Sequence, residues 1–325
     1  MRRLLREQPL VATALAATIA AIAVIAIAHV TGADAIGRVF EDVDPGWLAV
    51  VAAAELITYP AYVLAYRSVA GIHGHATLSL PIVSRIVVAG FGPFALEGGF
   101  GVDKRMLEAI DEDERSARVR VMALGVFEWA ILAPCACITA IVLLAQGANI
   151  LPSLLWPWAL AVPPCMVLVI WASAPERSEW LARVGGRRAE LIVQMLEGVQ
   201  GVRGMVTERT LPHASAWLGI TLYWAADMCA LWASLRMFGL DLDIGKLIIA
   251  YSTGYAATRR SLPLGGAGAT EVLMTYALYW VRQPLAPALA AVMAYRAFNF
   301  VLVAIPALVA HRQLPPMIED LPPSG

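Results

Sequence analysis

The stretch RRSLPLGGAGATE, residues 259–271, places two arginines and a glutamate around a proline and glycine turn in a very apolar part of the chain. The glycines Gly265, Gly266 and Gly268 permit a positive φ and a close approach of backbone or ligand. A helix that begins near Ala269 would direct free N–H groups and a positive dipole end at the turn. This combination suits a phosphate or another anion.

The charged residues of this stretch allow two interpretations. Arg259 and Arg260 would add positive charge beside the turn, and Glu271 follows it. In the structural alternative the glycines only form a tight hairpin, Thr270 and Glu271 cap the next helix, and the arginines extend to the membrane interface. The sequence has no Gly-x-x-x-x-Gly-Lys-Ser/Thr pattern, so nucleotide binding has no support.

A second block resembles the first at an offset of 167 to 168 residues. LEGGFGVDKRML at 96–107 aligns with PLGGAGATEVLM at 263–274. The aligned glycines of the earlier block are Gly98, Gly99 and Gly101, and the block also carries Arg105. Farther along, Glu128 aligns with Arg296. The alignment predicts two copies of a helix, hairpin and helix unit.

Composition sets the class of protein. Of 325 residues, 59% are hydrophobic and only 15% are charged, which predicts an all-α, polytopic membrane protein. The net charge of −1 and the lack of a basic stripe argue against nucleic acid as a partner. Runs of about 20 apolar residues predict spanning helices. The predicted spans are 10–30, 47–66, 119–145, 154–172, 212–238 and 285–310.

Lysine and arginine positions predict the topology. They are frequent in the N-terminal segment, in 103–120 and in 173–211, which we expect in the cytoplasm. The apolar segments 79–97 and 244–281 are broken by proline or glycine and must then be re-entrant hairpins. The two copies would be inverted in the membrane, as in secondary transporters whose substrate site lies between the repeats.

Ionisable residues fall inside the predicted spans and the first hairpin. They are Glu55, Glu128, Asp227, Arg296 and, in the hairpin, Arg85. Each costs roughly 2.5 to 3.5 kcal/mol at the centre of a spanning helix, so they must face one another or water. Glu128 and Arg296 could pair across the pseudo-twofold axis. The set could instead line a hydrated groove for a headgroup, and Asp227 or Glu55 could carry a proton.

The remaining segments divide the chain. We predict one transmembrane domain over 1–312, with repeat one at about 47–146, repeat two at about 212–312 and an interfacial helix in the linker 173–211. Ile192, Met195, Val199, Val202 and Val206 would form the apolar stripe of that helix. The tail 313–325 is predicted to be disordered.

The two glycine blocks, the first followed by Glu128 and the second by Arg296, resemble the lysylphosphatidylglycerol synthase transmembrane family from about residue 10 to 312. That family includes the flippase half of the multiple peptide resistance factor. The resemblance implies a polytopic helical protein that moves lipids or lipid-linked molecules between leaflets. The first block lacks the aspartate that usually follows its two glycines, and Trp129 stands where an arginine is common.

The expected function is therefore a flippase without enzymatic activity, cofactor or metal site, located in the cell membrane with both termini in the cytoplasm. Its ligand would be a membrane lipid with an anionic headgroup. Two alternatives remain: an accessory subunit for a separately encoded synthase or glycosyltransferase, and a membrane-embedded lipid-modifying transferase. Against the transferase, the sequence offers no Ser/His/Asp set or paired catalytic carboxylates.

Overall fold

A computed structural model describes residues 8–72, 78–111, 113–208, 210–254 and 261–319. All regular elements in these ranges are helical, as the composition predicts. Six helices are long and apolar enough to cross a membrane. They are Pro9–Thr31, Trp47–Ala70, Glu114–Ala145, Pro152–Ala172, Leu211–Met237 and Leu285–Met317. Each matches one predicted span, so the polytopic helical fold is confirmed.

The helices are numbered in chain order. The first six are α1 (Pro9–Thr31), α2 (Ala33–Val39), α3 (Trp47–Ala70), α4 (Leu80–Gly90), α5 (Gly99–Asp111) and α6 (Glu114–Ala145). The next five are α7 (Pro152–Trp156), α8 (Val162–Ala172), α9 (Pro175–Val184), α10 (Arg187–Thr207) and α11 (Leu211–Met237). The last four are α12 (Ile244–Gly254), α13 (Ala269–Trp280), α14 (Leu285–Arg296) and α15 (Ala304–Glu319). Two π-helical turns, Pro157–Ala161 and Ala297–Leu302, make α7–α8 and α14–α15 continuous.

Two pairs of short helices lie at the positions of the two predicted hairpins. The first pair is α4 and α5, and the second is α12 and α13 with a 3₁₀ turn at Pro263–Gly266. Helices of 11 to 13 residues are too short to cross a bilayer, because each residue adds about 1.5 Å. The re-entrant topology and the inverted repeat remain predictions.

The core is organised around α3 and α11, the first helices of the two predicted copies. A Cβ added at Gly219 would lie 2.6 Å from the Ala61 carbonyl oxygen, so the two backbones approach closely. Three tyrosines, Tyr62, Tyr66 and Tyr223, are almost fully buried beside this contact. Such close packing through a small residue is the usual means of joining helices in a membrane, where the hydrophobic effect between them is weak.

The linker differs from its prediction. It forms two helices, α9 and α10, which are separated by Gly185 and Gly186, both at positive φ. Of the predicted apolar stripe, Val199 and Val202 are buried in the bundle, whereas Ile192, Met195 and Val206 are exposed on its surface. Val193, Leu196 and Met205 are also buried, because α10 packs on α6 along that side. The interfacial position of this helix remains a prediction.

The first part of the predicted disordered tail, residues 313–319, is helical, and residues 320–325 lie outside the described residues. Helix α15 continues to Glu319, beyond the predicted boundary at 313. Leu314 is fully buried, and the Gln313 side chain accepts a hydrogen bond from Arg85 on α4. These contacts hold the last turns of α15 against the first hairpin.

Candidate functional site

The turn of the second hairpin has an unusual backbone. Leu264, Gly265, Gly266 and Gly268 all have positive φ. Glycine adopts this conformation without strain, whereas in Leu264 the side chain makes it strained. The Leu264 N–H donates to the Ala95 carbonyl oxygen at 2.8 Å, so the turns of the two hairpins touch. The strained residue is therefore held where the two predicted copies meet.

The first glycine block is built differently. Gly98 has positive φ, but Gly99 and Gly101 lie in α5. A Cβ at Gly101 would lie 2.4 Å from the Glu97 Cβ, so this glycine provides room for a neighbouring side chain. Only part of the expected backbone role of the first block is therefore present.

A buried ion pair follows the second turn. Arg296 Nε donates to Glu271 Oε1 at 2.7 Å, and the two side chains are 5% and 2% exposed. Glu271 Oε2 accepts from the Gly268 N–H at 2.7 Å. One carboxylate oxygen of Glu271 thus caps α13, and the other pairs with Arg296. The sequence analysis placed Glu271 directly after the turn and Arg296 in a spanning helix, and did not predict that they pair.

Arg296 has three further neighbours. Its Nη1 donates to Asn299 Oδ1 at 3.2 Å, and its Nη2 donates to the Gly265 carbonyl oxygen at 3.3 Å. The guanidinium carbon lies 4.3 Å from the centre of the Phe300 ring. The arginine therefore joins α14, its π-helical extension and the turn of the second hairpin.

Asn299 was missed by the sequence interpretation. It is 2% exposed and lies in the π-helical turn Ala297–Leu302, an irregularity often found at functional sites. Because its Oδ1 accepts from Arg296, its amide orientation is fixed, and within the described residues Nδ2 has no hydrogen-bond partner. Its spacing of three residues from Arg296 places both on one helix face, which the sequence could have revealed.

The proposed pair of Glu128 and Arg296 is wrong. In the described residues Arg296 binds Glu271, while the Glu128 carboxylate accepts a hydrogen bond from the Tyr62 hydroxyl. Trp224 Nε1 also donates to the Glu128 carbonyl oxygen at 3.0 Å. Equivalent positions in two copies need not touch when nearer partners are available within one copy.

The remaining predicted site residues are distributed over the bundle. Asp227 is fully buried and accepts from the Tyr251 hydroxyl, and Glu55 is buried on α3. Arg85 donates to Gln313 at 2.9 Å and to the Pro81 carbonyl oxygen at 3.1 Å. Arg105 pairs with Glu97 at 2.9 Å. Arg259 and Arg260 lie outside the described residues.

Comparison with known proteins identifies the family. No curated protein matches the chain. The family model for the lysylphosphatidylglycerol synthase TM region matches residues 11–307, which include all six apolar spans in whole or in large part, both hairpin segments and the Glu271–Arg296 pair. The chain therefore belongs to the family of the lysylphosphatidylglycerol synthase TM region.

Proposed function

We propose that the protein moves a lipid or lipid-linked molecule between membrane leaflets and binds the phosphate of its headgroup at Arg296 and Asn299. The observation that carries this proposal is Asn299 Nδ2, which has no hydrogen-bond partner among the described residues and lies beside a buried arginine in a membrane protein of this family. We also propose that the lipid is not chemically changed, and that both termini lie in the cytoplasm of a cell membrane.

The energetics favour a ligand over a purely structural role. Exchanging a buried ion pair for apolar residues of similar volume is often neutral or stabilising, so the Arg296–Glu271 pair is poor evidence of a stability requirement. An unpartnered buried amide adds a cost of about 1 to 3 kcal/mol. A phosphate oxygen would accept from Asn299 Nδ2 and share the guanidinium with Glu271. Binding would thus offset the cost of burying this amide without a partner.

Helix α1 covers the side of the turn from which a lipid would reach the site. Ala12 and Ala16 of this helix are fully buried against the apolar cluster that contains Leu264 and Phe300. A Cβ at Gly268 would lie 2.9 Å from Ile19 Cγ2, so α1 lies directly against the turn. Most of α1 is exposed to the surroundings of the bundle, so a small displacement of α1 would open the turn toward the acyl chains.

The test is lipid movement in liposomes. Purified full-length protein is reconstituted in phosphatidylcholine liposomes with trace fluorescent phosphatidylglycerol or phosphatidylcholine, and bleaching from outside reports exchange between leaflets. Asn299→Leu keeps the side-chain size but removes the donor, and we expect about tenfold slower movement of the anionic probe, the equivalent of one lost hydrogen bond to a charged group. Unfolding temperature should change little.

Thr275→Val is the matched control. Thr275 lies one helical turn after Glu271, is fully buried, and its hydroxyl likewise has no partner among the described residues. We expect wild-type transport from this variant. Equal rates in Asn299→Leu and wild type would remove Asn299 from the site. No lipid movement by folded wild-type protein would overturn the transport proposal and favour an accessory subunit.

A further inference from the structure

A polar cavity of about 450 Å³ lies at the N-terminal end of α6, where α10 packs beside it. This volume falls in the usual range for small-molecule sites. The polar side chains in its wall are Asp113, Arg115, Ser116, Arg120, Glu197 and Gln200. Neither Glu271 nor Arg296 contributes to it, and the lipid-transport proposal does not use it.

The positive part of the wall comes from one helix. Arg115 and Arg120 belong to successive turns of α6 and both line the cavity. Arg115 is about half exposed, whereas Arg120 is almost fully buried and donates to the Ala70 carbonyl oxygen at 2.9 Å. Two guanidinium groups are thus presented at different depths, and the hydroxyl of Ser116 lies between them in sequence.

The negative part comes from both helices. Asp113 caps α6 by accepting from the Arg115 and Ser116 N–H groups. Glu197 of α10 pairs with Arg115 at 2.5 Å. Among the described residues, the wall therefore holds two arginines and two carboxylates, whose formal charges sum to zero. A simple anion or a simple cation would meet a like charge on part of this wall.

Docking of α10 does not require these charges. A Cβ at Gly198 would lie 2.9 Å from the Ala123 backbone nitrogen, so α10 already approaches α6 closely in its apolar part. Arg118 adds a hydrogen bond to Gln194 at 3.3 Å. A partly exposed pair such as Arg115–Glu197 contributes only about 0 to 1 kcal/mol and can exchange its partners at little cost.

We propose that this cavity binds a zwitterionic phosphate and ammonium group of the phosphoethanolamine type. The phosphate oxygens accept from Arg115, Arg120 and the Ser116 hydroxyl, and the ammonium donates to Glu197 and Asp113. The ligand carries one negative and one positive group, which match the arginines and the carboxylates of the wall. On binding, the Arg115–Glu197 pair is replaced by a phosphate–Arg115 pair and an ammonium–Glu197 pair. The group is supplied either by a lipid headgroup or by free phosphoethanolamine.

The test uses the full-length protein in nanodiscs that contain only phosphatidylcholine. Phosphoethanolamine, inorganic phosphate and ethanolamine are titrated separately by calorimetry. We expect phosphoethanolamine to bind at least about tenfold more tightly than either fragment. Nanodiscs with phosphatidylethanolamine then identify the source: competition with the free compound indicates the lipid headgroup, and unchanged affinity indicates the soluble compound. Equal affinities for inorganic phosphate and phosphoethanolamine would overturn the proposal, because they would show that the ammonium group is not recognised.

Variants at the exposed end of the wall avoid misfolding. Arg115→Gln and Glu197→Gln should each weaken phosphoethanolamine binding about tenfold, because each removes one charged partner. Arg183→Gln, an exposed arginine on α9 outside this wall, is the matched control and should bind as wild type. Failure of folded wild-type protein to bind phosphoethanolamine in either nanodisc would refute the site, whatever the result of the lipid-movement assay.

Discussion

The two hairpin turns come from similar sequence blocks but hold their charges differently. At the second turn, Glu271 and Arg296 are almost fully buried. At the first turn, Glu97 and Arg105 form a pair whose side chains are 41% and 37% exposed. The second turn is also covered on one side by Ile19 of α1 and on another by Phe300. Cover by other elements therefore desolvates the Glu271–Arg296 pair and leaves the Glu97–Arg105 pair partly exposed, although Asp103 of the first block is itself fully buried.

This difference shows what the predicted repeat does and does not specify. Both blocks can place a glycine at positive φ, because Gly98 and Gly265 each adopt it. The acid that follows the second turn has no counterpart at the matching position of the first block, where Lys104 aligns with Glu271. We therefore expect strong effects from changes to the buried pair at the second turn and weak effects from changes to the exposed Glu97–Arg105 pair at the first.

The largest effect is expected from breaking the buried pair at one end. In Arg296→Met, the Glu271 carboxylate, which is only 2% exposed, loses its arginine. Because a buried charge is then left unpaired, the free energy of unfolding should fall by about 3 to 5 kcal/mol. The double variant Glu271→Gln with Arg296→Met removes both charges and should recover most of that loss. Chemical unfolding in detergent measures both. Additive losses in the double-mutant cycle would show that the pair does not interact.

The next effect concerns the cover that α1 provides. Gly268→Ala places a Cβ 2.9 Å from Ile19 Cγ2 on a backbone at φ +79°, so both strain and contact oppose it. Gly185→Ala, at φ +74° with nothing within 4 Å, carries the strain alone. We expect about 1 to 2 kcal/mol of destabilisation for Gly185→Ala and a larger value for Gly268→Ala.

Limited proteolysis tests whether Gly268→Ala is less stable than Gly185→Ala because α1 is displaced from the turn. If Gly268→Ala pushes α1 from the turn, the variant should be cleaved faster near α1 than either wild type or Gly185→Ala, because partial opening exposes the chain. Equal stability of the two variants would mean that α1 adapts without cost, and that the contact between Ile19 and the turn does not hold α1 in place.

Local features of the chain were predictable from the sequence. The six spans follow from runs of apolar residues, which depend only on neighbouring positions. The breaks in the hairpins follow from proline and glycine, and positive φ at Gly265, Gly266 and Gly268 follows from the freedom of glycine. These properties need no knowledge of what packs against them.

Partners across the fold were harder to predict. Arg296 was assigned to Glu128 by repeat symmetry, but Glu271 is the acid it reaches. The spacing of Asn299 from Arg296 was visible in the sequence, but the π-helical turn that holds Asn299 was not, because periodicity does not reveal it. The residues of α10 that pack on α6 were not identified, since the sequence does not show which neighbour this helix contacts. The Arg296 and α10 contacts join segments distant in sequence, whereas the Asn299 omission concerns a local irregularity of one helix.

The smallest effect is expected from the exposed pair at the first turn, and it tests directly whether the two turns differ. Arg105→Gln removes one end of an exposed pair, so we expect less than about 1 kcal/mol of destabilisation at low salt. Lipid movement should stay near the wild-type rate. Salt provides a second readout, because an exposed pair is screened at high ionic strength whereas the buried pair is screened much less.

The salt series therefore separates the two turns by physical cause. In 1 M salt, where the screening length is about 3 Å, Arg105→Gln and wild type should have the same stability, while the deficit of Arg296→Met should persist. A salt-resistant loss in Arg105→Gln, together with slowed movement of an anionic lipid, would contradict this expectation. It would show that Arg105 becomes desolvated during the transport cycle, and that the two turns act as equivalent halves of one headgroup path.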